Sequence, residues 1–292
     1  MNIKKLLSIH KFNLTSNSIN DTLNKIIKFD KDFDLNILRK IISFIDLTSL
    51  EGNDTREKIK ILCYKSITPL PEQKSIPSCA AVCVYPVFIS FAKGFLKNSD
   101  VKLATVGTSF PSGQYQQSVK LFDVEESLKD GADEIDIVIS RGEFLSGNYE
   151  YVYDEIKKVK NICTRYSNKQ KNIKLKVILE VGELESLENI WKASIISMYA
   201  GADFIKTSTG KVKVNATPEA AFVMVKAIKD YYNKNKKRIG FKPAGGIRTA
   251  EDALKYYYIV KKILGEKWLS RDYFRIGASS LLDNILIYFK NK

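Results

Sequence analysis

Eight times along the chain a short run rich in Ile, Val, Leu and Phe gives way to a longer amphipathic stretch, and this rhythm constrains the fold more than any other feature. The runs are FIDLT (44–48), AAVCVY (80–85), KLATVG (102–107), DEIDIVIS (133–140), KLKVILEV (174–181), ADFIKTS (202–208), IGFKPAG (239–245) and YFRIGA (273–278). The helix-like stretches cover 55–67, 86–98, 114–130, 148–166, 184–200, 217–232, 249–264 and 279–290. Parallel strands need helical crossovers, so strand-then-helix repeats predict a parallel sheet. Eight units within 292 residues predict an α/β chain closed into a (β/α)8 TIM barrel. An open doubly wound sheet is the alternative, and against it no GxGxxG follows the first run. Residues 1–43 read as a partly helical amino-terminal extension: a loose polar leader to about residue 20, then Leu23, Ile26, Ile27, Ile37, Leu38, Ile41 and Ile42 at helical spacings. Residues 44–292 read as one barrel domain, because no linker, repeat or low-complexity tract divides them.

Composition narrows the chemistry. The only histidine is His10, ahead of every motif. That argues against Ser-His-Asp, Cys-His and multi-histidine zinc sites. Proton transfer near neutral pH then falls to lysine, carboxylate, tyrosine or water. Cys63, Cys79, Cys83 and Cys163 lack a metal spacing and are expected to be free thiols. The net charge of +14 comes from lysines spread along the chain, densest in NKNKKR (233–238), with no nucleic-acid reading motif. Such a field suits phosphorylated metabolites better than nucleic acid. No apolar run approaches the roughly 20 residues that span a bilayer, and the first residues lack a signal-peptide pattern. No membrane partner is expected, and a cytoplasmic setting is.

Strand parity selects the side chains that face the barrel lumen. In DEIDIVIS, Ile135, Ile137 and Ile139 share a helix-facing side, leaving Glu134, Asp136 and Val138 inward. In KLKVILEV, Lys176 and Glu180 point inward. Lys206 shares a face with Phe204, and Lys242 with Gly240. A lone strand lysine is more often structural, and Glu180 is the natural partner for Lys206. A second inward lysine on the adjacent strand changes the reading, because neighbouring strands lie about 4.8 Å apart. Two ammonium groups about 6 Å apart repel by roughly 2.8 kcal/mol at an effective dielectric near 20. That lowers a lysine pKa by about two, and desolvation lowers it further. At a pKa of about 7.5, roughly a quarter of the amine is neutral at pH 7 and can attack a carbonyl. Asp136 either balances the lysines or shuttles protons between them and a substrate.

Phosphate chemistry is suggested by three neighbouring loops. KTSTGK (206–211) supplies hydroxyls, Gly210 and Lys211; PAGGIRT (243–249) supplies Gly245 and Gly246 before a helix; IGASS (276–280) supplies Ser279 and Ser280 at the last turn. Glycine loops and helix amino-termini present N–H groups to anions, and barrels often bind phosphate after strands seven and eight. Cys83 faces the lumen but reads as small core packing.

The chain resembles the deoxyribose-phosphate aldolases, a class I, imine-forming family. The resemblance rests on DLT (46–48), AAVCVYP (80–86), ATVGTSFPSG (104–113), GADEIDIV (131–138), KVILEVGEL (176–184), AGADFIKTSTGK (200–211), VNATPEA (214–220), GFKPAGGIRTAEDA (240–253) and FRIGASSLL (274–282). It implies reversible cleavage of 2-deoxy-D-ribose 5-phosphate to D-glyceraldehyde 3-phosphate and acetaldehyde, without metal or cofactor. It also implies that Lys206 forms the imine, Lys242 lowers its pKa and Asp136 relays protons. Asp46, Thr48 and Thr207 then lie near the substrate's hydroxyls, and Gly210, Lys211, Gly245, Gly246, Ser279 and Ser280 hold the phosphate. A homodimer or homotetramer fits the same resemblance. Some members use a terminal tyrosine on a mobile tail. Here NK (291–292) closes the sequence and Tyr288 falls inside the last predicted helix, so proton exchange at the enamine carbon is expected to be slower or to use another group. The alternative functions are a non-catalytic phosphosugar-binding barrel and a nucleic-acid-associated protein.

Overall fold

In the computed structural model, which describes residues 2–28 and 33–290, eight short parallel strands alternate with helices. Three helices come first: α1 (Ile3–Ile9), α2 (Ser16–Ile26) and α3 (Leu35–Phe44). Then follow β1 (Ile45–Thr48), α4 (Arg56–Ile67), β2 (Ala81–Val84), α5 (Ile89–Leu96), β3 (Lys102–Gly107), α6 (Gln117–Lys129) and β4 (Glu134–Val138). The second half holds α7 (Arg141–Leu145), α8 (Tyr149–Tyr166), β5 (Lys174–Ile178), α9 (Leu187–Ala200), β6 (Phe204–Lys206), α10 (Pro218–Asn235), β7 (Gly240–Lys242), α11 (Ala250–Leu264), β8 (Ile276–Ala278) and α12 (Leu281–Lys290).

Consecutive strands pair from β1 to β7, and β1 also pairs with β8. The ring closes through parallel bridges between Phe241 and Phe274 and between Ala244 and Gly277. The expected barrel is therefore the observed architecture. Local chemistry explains the helix starts. Thr55, Ser186, Thr217 and Thr249 each accept a backbone N–H three residues on, Pro218 occupies the first turn of α10, and Thr249 with Asp252 forms a capping box.

The strand faces divide as parity predicts. Ile135, Ile137 and Ile139 join the main core with Val124, Val152 and Ile156 from the surrounding helices. Ala81, Cys83, Ala104 and Val106 face the other way and form a small lumen cluster with Leu50. Lower in the lumen the Phe204 ring fills the space beside Gly240. A Cβ on Gly240 would meet that ring at 2.3 Å, so only glycine fits there. All four cysteines are free and buried.

The first 20 residues differ from the loose leader expected of them. Ile3 and Leu6 of α1, and Ile19 and Leu23 of α2, are buried, so each short helix presents an apolar stripe to the barrel's outer helices. His10 ends α1 in a buried polar knot. Its Nε2 is 2.8 Å from Tyr199 Oη, its Nδ1 contacts Asp230, and its backbone carbonyl accepts from Trp191 Nε1 at 2.8 Å. The polar residues that suggested looseness occupy the solvent side of the same helices. Expectations for Met1, residues 29–32 and NK (291–292) lie outside the described residues.

Candidate active site

The carboxyl ends of the strands surround a cavity of about 240 Å³. Lys206, the last residue of β6, reaches its wall. Around it stand Thr48 at the end of β1, Thr209 to Lys211 after β6, Ala244 to Arg248 after β7, and Gly277 to Ser279 around the end of β8. A larger hollow of about 660 Å³ opens at the opposite end of the barrel, lined by Lys102, Lys174 and Arg271, but Lys206 does not line it. Chemistry in barrels sits at the strands' carboxyl ends, and the smaller cavity has that position.

Beneath the cavity lies a buried charge cluster. Lys206 Nζ donates to Asp136 Oδ2 at 2.9 Å, and Lys242 Nζ donates to the same oxygen at 2.7 Å. The register Lys206↔Lys242 across β6 and β7 makes the two amines neighbours, as parity requires. Lys242 Nζ is also 2.5 Å from Asp46 Oδ2, a charge contact rather than an aligned hydrogen bond. Lys176 Nζ bonds Asp136 Oδ1 at 2.7 Å and lies 2.6 Å from Glu134 Oε2. Arg275 joins from the residue before β8, donating to Asp46 at 2.6 Å and to Glu134 at 2.7 Å. All seven side chains are buried.

The charges in this cluster do not balance if every group is ionised. Lys176, Lys206, Lys242 and Arg275 face Asp46, Glu134 and Asp136, leaving one cation in excess. Uncompensated buried charge is expensive, and the group with the weakest support is the one whose proton is most easily lost. That group is Lys206. Burial depresses its pKa most, Lys242 depresses it further, and Asp136 works the other way. Lys242 shifts upward despite its burial, because Asp136 and Asp46 both hold it. Asp136 lies well below the usual carboxylate range: burial opposes ionisation, but Lys176, Lys206 and Lys242 together outweigh it. The expected cause of the Lys206 shift is thus reordered. Crowding by a second cation contributes, desolvation contributes more, and a shared carboxylate sits between the two amines.

Glu180 does not partner Lys206. It leaves β5 in the left-handed region, at φ 59°, and accepts from the Thr209 hydroxyl at 2.5 Å. Arg141, at the start of α7, approaches it at 3.3 Å. Burial pushes the Glu180 carboxyl up against the pull of the Thr209 bonds and Arg141. This buried carboxylate therefore fastens the loop that carries Gly210 and Lys211.

The three candidate phosphate loops converge. Gly210, Gly245 and Gly246 all have positive φ (84°, 84° and 81°). They border the cavity with Lys211 and Ser279. Asn215 packs so closely under Gly245 that an added Cβ would meet its Oδ1 at 2.6 Å. Thr207, Asp46 and Ser280 are off the cavity wall. The Thr207 hydroxyl is engaged by the Ala244 backbone, accepting from its N at 2.9 Å and lying 3.1 Å from its O, which staples the β6 loop to the β7 loop. Asp46 sits behind Lys242, and Ser280 is exposed where α12 begins.

Arg275, Glu51, Thr209 and Arg141 were not among the expected site residues. The alternation of Arg275 with Gly277 in the YFRIGA run (273–278) was a readable sign of the first. The others are loop or short-helix residues with no periodic signal.

Comparison with known proteins gives a consistent set. The profile of the DeoC/LacD family aldolases matches residues 40–284. A human protein described as deoxyribose-phosphate aldolase is 46% identical over 259 residues, covering 85% of this chain and 79% of its own length. A mouse protein with the same description is 45% identical over equal shares. The tetrameric deoxyribose phosphate aldolase of Aeropyrum pernix superposes with a TM-score of 0.68 at 26% identity, covering 95% of this chain and 99% of that one.

Proposed function

Because the chain belongs to the DeoC/LacD aldolase family, we propose that its barrel mouth cleaves 2-deoxy-D-ribose 5-phosphate reversibly to D-glyceraldehyde 3-phosphate and acetaldehyde through an imine on Lys206. The observation that carries the imine reading is the unbalanced cluster, in which the one lysine on the cavity wall is also the one whose pKa is lowered.

The steps follow from the groups present. The neutral Lys206 amine attacks the C1 aldehyde of the open-chain sugar to give a carbinolamine. Loss of water, with the proton supplied through Asp136 and the ammonium of Lys242, gives the protonated imine. That cation draws electrons as the C2–C3 bond breaks and the C3 hydroxyl loses its proton. Glyceraldehyde 3-phosphate leaves, and an enamine remains on Lys206. Protonation at C2 and hydrolysis release acetaldehyde and the free amine. Asp136 touches both amines and suits it to carry protons among them. Gly210, Lys211, Gly245, Gly246 and Ser279 would receive the phosphate through backbone N–H groups and one ammonium. Thr48 would meet the sugar hydroxyls, while Asp46 and Thr207 act from behind the wall. A cytoplasmic setting and self-association into homodimers or homotetramers belong to the same proposal, the latter on the tetrameric relative.

Borohydride reduction with acetaldehyde tests the imine. The expected product is a two-carbon adduct on the Lys206 peptide, absent in Lys206→Leu, whose kcat should fall by roughly 10⁴-fold or more. An unmodified Lys206 peptide from folded protein would refute the reading.

A further inference from the structure

Glu51 carries the wrong charge for a pocket that takes an anion. It lies just past β1, and its Oε1 is 2.9 Å from Lys211 Nζ on the loop after β6. Among the residues lining the cavity it is the one acid, against Lys206, Lys211 and Arg248. Its backbone is anchored independently of that contact. Glu51 N donates to Asp54 Oδ2 at 3.0 Å, and Asp54 N donates to Glu51 O at 3.0 Å. The carboxylate can therefore swing away by rotation about its side chain while the loop stays in place.

We propose that Glu51 is a specificity-determining residue: it neutralises Lys211 in the empty pocket and is displaced by the phosphate of the substrate. This inference rests on the reading of Lys211 as a phosphate ligand. Both partners are part-exposed, with side-chain accessibilities of 27% for Lys211 and 60% for Glu51. A pair so placed is weak, a factor of roughly two to five in an equilibrium constant. A phosphate dianion makes stronger charge-assisted hydrogen bonds to the same ammonium and wins the exchange. The cost of that exchange is charged only to ligands that claim Lys211. Glu51 thus narrows the preference for phosphorylated over unphosphorylated aldoses and blunts inhibition by free phosphate.

The test compares the native chain, Glu51→Gln, Lys211→Met and the double variant. The KM for 2-deoxyribose 5-phosphate, the KM for 2-deoxyribose and the inhibition constant of inorganic phosphate are measured for each. Glu51→Gln should lower the phosphorylated-substrate KM and the phosphate inhibition constant together, by about two- to fivefold. The KM for 2-deoxyribose should not follow. In the Lys211→Met background the Glu51 effect should vanish, as coupling between contacting residues requires. Three outcomes overturn the inference while leaving the phosphate reading intact: a phosphate inhibition constant unmoved by Glu51→Gln although Lys211→Met raises it, a gain that persists without Lys211, or a proportional change for both sugars, as a purely structural role would give. If Lys211→Met itself leaves phosphate inhibition unaltered, the phosphate reading of Lys211 fails and takes this proposal with it.

Discussion

At the scale of single residues, the site turns on which of two neighbouring lysines stays charged. Both contact Asp136 Oδ2, yet Lys242 has Asp46 as a second acid and Lys206 has the cavity. The asymmetry makes a definite prediction for Lys242→Met. Removing that ammonium takes away a repulsive neighbour and leaves Asp136 freer to hold Lys206, so the Lys206 pKa rises. The alkaline-rising limb of the kcat/KM profile, which reports the free enzyme, should move to higher pH. Activity at neutral pH should fall by roughly 10²-fold or more, and partial recovery at high pH would separate a titration effect from misfolding. An unshifted limb would mean that Lys242 does not govern Lys206. Parity in the short runs already placed Lys206, Lys242 and Asp136 on inward faces. It could not show that Asp136 bridges the two amines, since that depends on side-chain reach across three strands.

At the scale of elements, the strands are only three to six residues long, and their positions are enforced by close packing inside the barrel. Gly240 on β7 exists to make room for Phe204 on β6. Gly240→Ala should push β7 outward and destabilise the protein by roughly 1–3 kcal/mol, the usual penalty for overpacking. Denaturant unfolding would read the loss, and because Lys242 is two residues along the same strand, kcat should fall with it. A variant as stable and active as the native chain would show that the ring has space to move. The helices were visible from their amphipathic runs to within a few residues. α7 was not, because RGEFL is too short to show a period. It nonetheless delivers Arg141 to Glu180, and through Thr209 that contact steadies the loop bearing Gly210 and Lys211. α1 and the first turn of α2 were misjudged for a related reason: each helix has one apolar stripe among many polar residues, and the partner that hides the stripe lies far along the chain.

At the scale of the whole molecule, a lumen filled with ion pairs ties stability to pH. Asp46, Glu134 and Asp136 are depressed below their ordinary values, as nearby lysines and Arg275 outweigh burial. A carboxylate with a lowered folded-state pKa binds fewer protons folded than unfolded. Its contribution is complete above the unfolded pKa, about 4, and is lost progressively as pH falls below it. Stability should therefore drop steeply below about pH 4, with unfolding that precedes full titration of the folded cluster. A flat melting temperature between pH 5 and pH 3 would contradict this account. The depressed Lys206 acts on the alkaline side with the same slope: the unfolded chain binds the extra proton between the two pKa values, so stability rises with pH across that window. What the sequence by itself determined was the order of strands and helices and the inward side of each strand, since these follow from local periodicity and from the need of parallel strands for crossovers. Tertiary structure alone decided the balance of four cations against three carboxylates, the selection of Lys206 as the amine that meets the cavity, and the contact of Glu51 with Lys211. Those depend on distances and burial between residues far apart in the chain, and electrostatic energy is set by separation and solvent access, to which a linear pattern is blind.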